Sequence, residues 1–375
     1  MLILTNAQLV LPGAVVHGTI TLSGALIGNV QPGASLASAA LDLEGDYLIP
    51  GVVDLHTDNL ERQVQPRTNA RWPSRSALAA HDAQCAAAGV TTVLDALCVG
   101  DAGFDNDRVR TFHDGVADLD ALADTGLLKA EHFLHLRCEL PAPEMLSLLD
   151  PVAEHSRLRL VSLMDHSPGI GQYADLDYYR SLRRKDGLDP AFIERRIAEL
   201  QAQRERFRDP NRTALLTRVR GLGVALASHD DRTAEDVAEN AADGIRIAEF
   251  PVSMEAAAAA QARDMQVIAG APNLVRGGSH SGNVAAAELV RERAVDAFAS
   301  DYVPASLVEA AFAAVAEGIA LPDAIALVSA HPARMAGLSD RGRIVPGLRA
   351  DLVRVRVHEG LPVVRQVWRA GERVA

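Results

Sequence analysis

The spacing of apolar residues divides the chain into two kinds of segment. Residues 1–50 and 342–375 contain short runs in which apolar and polar residues alternate, and turn-forming residues separate these runs. Alternation with a period of two is typical of strands with one exposed face. Between the two ends, short apolar runs follow one another at intervals long enough to hold helices. We therefore expect an accessory β domain formed by residues 1–50 and 338–375, and a strand–helix domain over residues 51–337.

The central segment contains eight apolar runs of strand length. They cover residues 51–56, 90–97, 132–139, 158–165, 223–228, 245–249, 266–270 and 295–300. Eight parallel strands, each followed by a helix, close into a barrel of roughly 250 residues. The pattern therefore predicts an α/β fold, a (β/α)8 TIM barrel with a small β-sandwich-like accessory domain formed by both termini.

Residues 167–221 interrupt the alternation, because they contain no strand-like run. They include a helical pattern over residues 189–207, preceded by residues 173–185, where three tyrosines and four basic residues lie close together. Insertions of this length in compact domains are usually functional lids or extra subdomains. Two interpretations of residues 173–185 stay open: a solvated basic helix, or a lid that closes over a substrate.

Composition narrows the class of protein. The chain has 375 residues, 48% of them hydrophobic and 23% charged, which is ordinary for a globular protein. The net charge of −12 disfavours nucleic acid as a partner, although a small anionic substrate can still bind at local arginines. No apolar run reaches the roughly 20 residues that a membrane span requires, and the three cysteines cannot all pair. We expect a cytoplasmic protein that binds neither membrane nor nucleic acid, and a homodimer stays open.

Six residues of the types that bind metals lie at the C-terminal ends of the strand-like runs. They are His56, Asp58, Glu139, His166, His229 and Asp301. In a (β/α)8 barrel these strand ends meet at one mouth. Imidazoles and carboxylates of this number can hold two divalent ions with one shared carboxylate. The set favours two zinc ions, and its carboxylates also suit Mn²⁺ or Fe²⁺.

Each of these signals has a purely structural alternative. A histidine at a strand end is often a hydrogen-bonded core residue, and Asp301 could cap the following helix. Arg137 lies two residues before Glu139, so both side chains share one face of the strand. This pair could be a buried ion pair, or it could bring a phosphate-binding guanidinium next to a metal ligand. The neighbouring acids Asp165, Asp230 and Asp231 could be metal ligands instead or loop caps, and loop caps are the preferred interpretation.

The segment at residues 271–283 is a second candidate site. Its glycines allow backbone N–H groups to approach an anion, and its polar side chains add donors. The predicted substrate-binding residues are Arg276, Gly277, Gly278, Ser279, Ser281 and Asn283, and His280 is a predicted catalytic residue. The segment follows the seventh strand, where many barrels bind phosphate. A plain glycine-rich turn is the alternative.

Several longer motifs match one branch of a known superfamily. They are His56–Leu60, Trp72-Pro73, Ser162–Gly169, Ser228–Asp231, Gly270–Asn283, Ser300–Tyr302, Asp340–Gly342 and Ala350–Val353. These motifs resemble the α-D-ribose 1-methylphosphonate 5-triphosphate diphosphatases of the carbon–phosphorus lyase pathway, a branch of the amidohydrolase superfamily. The resemblance runs from end to end. Commoner members of the superfamily have His-x-His and often a carboxylated lysine, where this chain has His56-x-Asp58 and Glu139.

The resemblance implies a metal-dependent hydrolase that removes pyrophosphate from a ribose 5-triphosphate with a phosphonate at C1. We expect His56, Asp58 and Asp301 to bind one metal and His166 and His229 the other, with Glu139 as the bridge. Asp301 would also accept a proton from the attacking water, and Arg137 would hold the polyphosphate. The alternatives are a cyclic amide hydrolase of the dihydroorotase type on the same barrel, and a scaffold that has lost catalysis.

Overall fold

The computed structural model describes residues 1–67, 70–101, 106–279 and 282–375. Its strands are β1 (Leu2–Leu11), β2 (Ala14–Ser23), β3 (Leu26–Pro32), β4 (Leu41–Asp42), β5 (Tyr47–Pro50), β6 (Val52–Thr57), β7 (Val90–Val99), β8 (Glu131–Glu139), β9 (Leu158–Met164), β10 (Ala225–His229), β11 (Ile247–Glu249), β12 (Gln266–Gly270), β13 (Ala297–Ala299), β14 (Leu352–His358), β15 (Leu361–Arg369) and β16 (Glu372–Arg373).

The helices alternate with the central strands. They are α1 (Asn59–Val64), α2 (Ser74–Ala87), α3 (Asn106–Leu122), α4 (Met145–Leu149), α5 (Leu176–Lys185), α6 (Pro190–Val219), α7 (Ala234–Ala242), α8 (Met254–Gln261), α9 (Ala271–Arg276), α10 (Ala286–Arg291), α11 (Ser306–Ala316), α12 (Leu321–Ala326) and α13 (Ala330–Met335). A short 3-10 helix covers Gly171–Tyr173. Within the described ranges, no helix is long and apolar enough to cross a membrane.

Both chain ends contribute to one mostly antiparallel sheet, in the order β16-β15-β14-β5-β1-β2-β3, with β4 beside β1. The two ends meet where β5 pairs antiparallel with β14, with Leu352 opposite Pro50. One face of the sheet buries a compact apolar cluster that includes Leu4, Leu48 and Trp368. The predicted joining of the two termini into one β unit is therefore confirmed, and the unit is a single sheet.

The eight central strands form one parallel sheet in chain order from β6 to β13. The sheet closes at residues that the sequence analysis singled out: the Asp301 N–H donates to His56 O at 3.0 Å, and the Asp58 N–H donates to Asp301 O at 3.0 Å. Alternate strand residues fill the barrel with apolar side chains, namely Leu55, Leu94, Phe133, Leu160, Ala227, Ile247, Ile268, Ala297 and Ala299. The predicted (β/α)8 barrel is confirmed, and its strands lie within about two residues of the predicted runs.

The insert between β9 and β10 is helical. Asp175 caps α5 by accepting from the Asp177 and Tyr178 N–H groups, and Asp189 caps α6 by accepting from the Phe192 N–H. The insert buries its own small core, in which Tyr179 packs against Ile193 and Ile197. The two helices therefore form a packed unit next to the barrel mouth.

A buried polar network lies between α2 and the outer face of strands β7 and β8. His132 donates from Nδ1 to Asp95 at 2.8 Å and from Nε2 to Asp82 at 3.2 Å. His81 lies within 2.8 Å of the other Asp95 oxygen, and its Nδ1 accepts from the Asn59 amide at 3.0 Å. Because every nitrogen of both imidazoles has a partner, this network holds the helix to the barrel and leaves no imidazole lone pair free for an ion.

Candidate metal centre

A cavity of about 330 Å³ opens at the C-terminal mouth of the barrel. The predicted ligands His56, Asp58, His229 and Asp301 line it together with Arg137. Their positions follow from the fold, because β6, β10 and β13 all end at this mouth and Asp58 directly precedes α1. The remaining two predicted ligands are Glu139, the last residue of β8, and His166, just after β9, whose ring contacts that of His229. The barrel thus brings all six predicted ligands to one mouth.

Glu249, the last residue of β11, orients two of the histidines. Its carboxylate accepts from Nδ1 of His56 at 2.8 Å and from Nδ1 of His229 at 2.7 Å. The two imidazole rings are stacked with their centroids 5.8 Å apart. With the proton held on Nδ1, each ring presents the lone pair of Nε2, which is the arrangement of a metal-binding histidine supported by a carboxylate. The Nε2 atom of His56 is buried and has no hydrogen-bond partner within the described part of the chain.

Glu139 holds His166 in a similar way. One carboxylate oxygen accepts from the His166 backbone N–H at 2.9 Å, and the other accepts from its Nδ1 at 2.6 Å. The His166 ring packs edge-on against His229, with centroids 5.6 Å apart. In this arrangement both Glu139 oxygens are engaged by His166, so the contacts describe an orienting residue. The bridging role expected from the sequence stays a prediction.

Asp230 joins the histidines, although the sequence analysis interpreted it as a loop cap. Its Oδ2 lies 3.9 Å from His166 Nε2 and 3.7 Å from His229 Nε2. That oxygen is buried and accepts no hydrogen bond from any described residue. His166, His229 and Asp230 thus direct three unshared donor atoms toward one point, at distances that leave space for an ion. The Asp230 carboxylate therefore occupies the position of a third metal ligand beside His166 and His229.

Burial and charge perturb the ionisation of these groups in different directions. Burial lowers the pKa of His56 despite its carboxylate partner Glu249. Burial also opposes charge on His229, but Asp230 and Glu249 outweigh it and raise its pKa. The pKa of Glu249 falls well below its usual range, because His56 and His135 overcome the cost of its burial. Burial, with repulsion from Asp58, raises the pKa of Asp301 to about 7. A neutral His56 and an ionised Glu249 suit ligation.

Three non-glycine residues turn the chain sharply at the strand ends. Asp230, Phe250 and Asp301 have φ values of 58°, 53° and 53°, in the left-handed region that L-residues rarely adopt. Asp230 and Phe250 directly follow His229 and Glu249, the last residues of β10 and β11, and Asp301 itself lines the mouth just after β13. Phe250 packs edge-on against His56 and His229, with ring centroids 5.0 and 5.6 Å away. Such strain concentrates at functional sites, where the surrounding contacts maintain it.

The donor set fits divalent metal ions. His56, His166 and His229 each have Nδ1 paired with a carboxylate and Nε2 left for a ligand. Asp58 Oδ1, Asp230 Oδ2 and His56 Nε2 are buried and lack a hydrogen-bond partner among the described residues. Buried polar atoms without partners are costly, and ion binding would remove that cost.

Arg137 presents unused donors to the same cavity. Its side chain is 8% exposed, and its nearest ion-pair contact, Asp58 Oδ2, is 3.8 Å away. Nε and one Nη have no hydrogen-bond partner among the described residues. Since Glu139 is engaged by His166, the structural alternative of an Arg137–Glu139 ion pair does not account for this guanidinium. An anion in the cavity would satisfy it.

Among the described residues of the glycine-rich segment, some line the cavity and others lie at the end of α9. Ser279 and Asn283 line the cavity, whereas Arg276 and Gly277 are exposed at the end of α9. Gly277 ends the helix with a φ of 77°, the left-handed conformation usual after a helix terminus, and Gly278 has a φ of 159°. The predicted residues His280 and Ser281 lie outside the described residues.

Among the charged side chains at the mouth, Glu249 and Arg108 were not singled out from the sequence, and Asp230 was preferred as a loop cap. Glu249 and Asp230 belong to the metal centre described above, and Arg108 lines the cavity from the first turn of α3. Glu249 is the final residue of the predicted strand at residues 245–249, so its position at a strand end was a usable signal. Arg108 lies in no strand and in no motif, and only the packing of α3 brings it to the mouth.

Comparison with known proteins gives both a relative and a fold. The chain is 42% identical over 377 residues to the alpha-D-ribose 1-methylphosphonate 5-triphosphate diphosphatase of Escherichia coli (strain K12), and the match covers 100% of both chains. No family model matches the sequence.

Two solved structures illustrate the fold. A 5-methylcytosine deaminase from Klebsiella pneumoniae, liganded with 5-fluorocytosine, matches with a TM-score of 0.67 and 16% identity, over 100% of this chain and 97% of the other. An N-acetyl-D-glucosamine-6-phosphate deacetylase from Mycobacterium smegmatis matches with a TM-score of 0.65 and 18% identity, over 100% of both chains. At these identities the likeness shows the fold alone.

Proposed function

The chain belongs to the family of the alpha-D-ribose 1-methylphosphonate 5-triphosphate diphosphatases, and from this premise we propose that it cleaves the α–β phosphoanhydride of that triphosphate. The products would be α-D-ribose 1-methylphosphonate 5-phosphate and pyrophosphate, in phosphonate catabolism. The observation that carries the proposal is 42% identity over the full length of both chains. That relationship does not favour a dihydroorotase-like amide hydrolase or a scaffold without activity.

The cofactor in this proposal is a pair of divalent metal ions. The donor atoms of His166, His229 and Asp230 support one ion. The other ion would be held by His56, Asp58 and Asp301, which line the same cavity. Histidine-rich coordination favours zinc, and the carboxylates also suit Mn²⁺ or Fe²⁺. When bound, such ions lower the pKa of a water molecule and offset phosphoryl charge.

The chain's own residues would bind the anion and move the proton. Arg137 would donate its unused N–H groups to phosphoryl oxygens, whose charge grows as the anhydride breaks. Asp301, which lines the cavity beside Asp58, would accept the proton of the attacking water. Ser279 and Asn283, which also line the cavity, would add neutral donors. A cationic group beside the metal ligands suits attack on phosphorus better than attack on a neutral amide.

The partner in this proposal is a small, anionic phosphorylated sugar. A cytoplasmic location is part of the same proposal. It is supported by three buried cysteines, Cys85, Cys98 and Cys138, none of which forms a disulfide, since thiols persist in reducing compartments.

Hydrolysis in oxygen-18 water, followed by phosphorus NMR, tests the reaction. We expect the label in the sugar-bound phosphate, together with unlabelled pyrophosphate. Label in the pyrophosphate would place the attack at the β-phosphorus, and free orthophosphate as the first product would rule out the diphosphatase assignment.

Metal content tests the cofactor separately. His166→Ala should lower the metal content of the purified protein and abolish turnover, while its circular dichroism spectrum stays that of the folded barrel. Full metal content and a wild-type rate in this variant would contradict the ligand assignment.

A further inference from the structure

Two guanidinium groups line the cavity wall, and they differ in their exposure to solvent. Among the described residues that line it, Arg137 and Arg108 are the two arginines. Arg137 lies on β8 beside the metal ligands, with a side chain 8% exposed. Arg108 lies in the first turn of α3, with a side chain 40% exposed. Positive charge therefore continues from the floor of the cavity toward its opening.

Glu61 holds Arg108 at this wall. The Nε atom of Arg108 is 3.5 Å from Glu61 Oε2, which is too long for a strong hydrogen bond. Glu61 is one helical turn from Asp58, and its N–H donates to Asp58 O at 2.9 Å. Arg137 faces Asp58 at 3.8 Å in the same manner. Both arginines are thus positioned by a carboxylate without having their donors used up by it.

The rest of the cavity restricts where further anionic groups can go. Carboxylates of Asp58, Asp230 and Asp301 surround the floor and repel phosphoryl oxygens that are not bound to metal. The lining also includes the apolar side chains of Phe250, Pro251, Pro272, Val284 and Leu289, which suit a sugar. A polyphosphate with its α-phosphorus at the metal ligands would therefore extend along Arg137 and then Arg108.

We propose that Arg108 binds the terminal phosphoryl groups of the triphosphate and so determines that the leaving group is pyrophosphate. This inference rests on the proposed function, because it concerns the same site and the same substrate. In this arrangement Arg137 contacts the phosphoryl group under attack, and Arg108 contacts the part that leaves. An arginine suits this position because its planar fork binds two phosphoryl oxygens at once.

Binding of inorganic pyrophosphate to the metal-loaded protein tests the role of Arg108 by isothermal titration calorimetry. Arg108→Gln should weaken pyrophosphate binding roughly ten- to a hundredfold, the effect of losing a hydrogen-bonded charge contact. Binding of orthophosphate, which in this arrangement uses the metal ions and Arg137, should not change. The matched control is Arg110→Gln on the same helix, since Arg110 is 65% exposed, faces Asp114 and lies outside the cavity lining.

Pyrophosphate affinity equal to wild type in Arg108→Gln would overturn the inference and leave Arg108 as the ion-pair partner of Glu61. If Arg108→Gln fails to fold, as judged by its melting curve, Arg108→Lys decides instead: it should bind pyrophosphate more weakly than wild type, and unchanged affinity would overturn the inference. A different result would contradict the proposed function: the wild-type protein would release no pyrophosphate from the triphosphate.

Discussion

The carboxylate of Glu249 gives the sharpest test of how the metal centre is organised. It is fully buried and accepts from Nδ1 of His56 at 2.8 Å and from Nδ1 of His229 at 2.7 Å. Glutamine has the same shape, but one of its two terminal atoms is a donor. In Glu249→Gln, one histidine must therefore lose its hydrogen bond or move its proton from Nδ1 to Nε2. A protonated Nε2 cannot bind a metal.

The expected size of the effect follows from these two contacts. Mutating the partner of a metal-bound histidine typically lowers metal affinity by about 10- to 100-fold, which is roughly 1.4–2.8 kcal/mol of binding free energy. One hydrogen bond to a charged group contributes about 1.5–3 kcal/mol, so the loss of a single one of the two bonds is sufficient. Glu249→Gln should therefore bind zinc about 10- to 100-fold more weakly than wild type.

Competition against a chromophoric chelator measures this affinity directly, independently of turnover. The matched control is Glu205→Gln, since Glu205 is exposed on α6 and should leave zinc affinity unchanged. Turnover of Glu249→Gln should recover in part when zinc is raised, because the ligands themselves are intact. Wild-type zinc affinity in Glu249→Gln would refute the reasoning that this carboxylate sets the proton positions of His56 and His229.

Three further predictions concern the substrate, pH and the insert. Arg137→Lys keeps the charge but loses the planar fork, so turnover should fall about ten- to a thousandfold, or roughly 1.5–4 kcal/mol; an unchanged rate would make Arg137 structural. Burial opposes charge on His132, but Asp95 and Asp82 raise its pKa to about 9. Since the pKa of an unfolded histidine is near 6.5, this shift adds up to about 3 kcal/mol to the free energy of unfolding. The added stability is fully present below about pH 6.5 and is lost as the pH rises through about 9. Urea unfolding of metal-free protein should show that loss, and His132→Gln should lack it; equal pH profiles would contradict the assignment. Amide exchange in residues 173–185 should slow when a non-hydrolysable triphosphate analogue binds, and equal protection with and without it would favour the solvated basic helix.

The order of strands and helices could be predicted from the sequence, because it is encoded locally. A run such as residues 132–139 is apolar enough to be buried and short enough to be a strand. Eight such runs separated by helices are typical of a (β/α)8 barrel. The same rule brings His56, His229 and Asp301 together, since parallel strands in a barrel all end at one mouth. Candidate ligands could therefore be chosen by their position at strand ends alone.

Contacts between those side chains depended on the tertiary structure. The 2.8 Å contact of His56 with Glu249 joins residues far apart in the chain, and no local pattern encodes such a pairing. The left-handed turn at Asp230 directs its carboxylate toward His166 and His229, whereas sequence proximity suggested a loop cap. Arg108 reaches the cavity because α3 packs against the barrel beside α1. Periodicity specifies which face of an element is buried, but the geometry of a site depends on distances between elements, and only the packed barrel determines those distances.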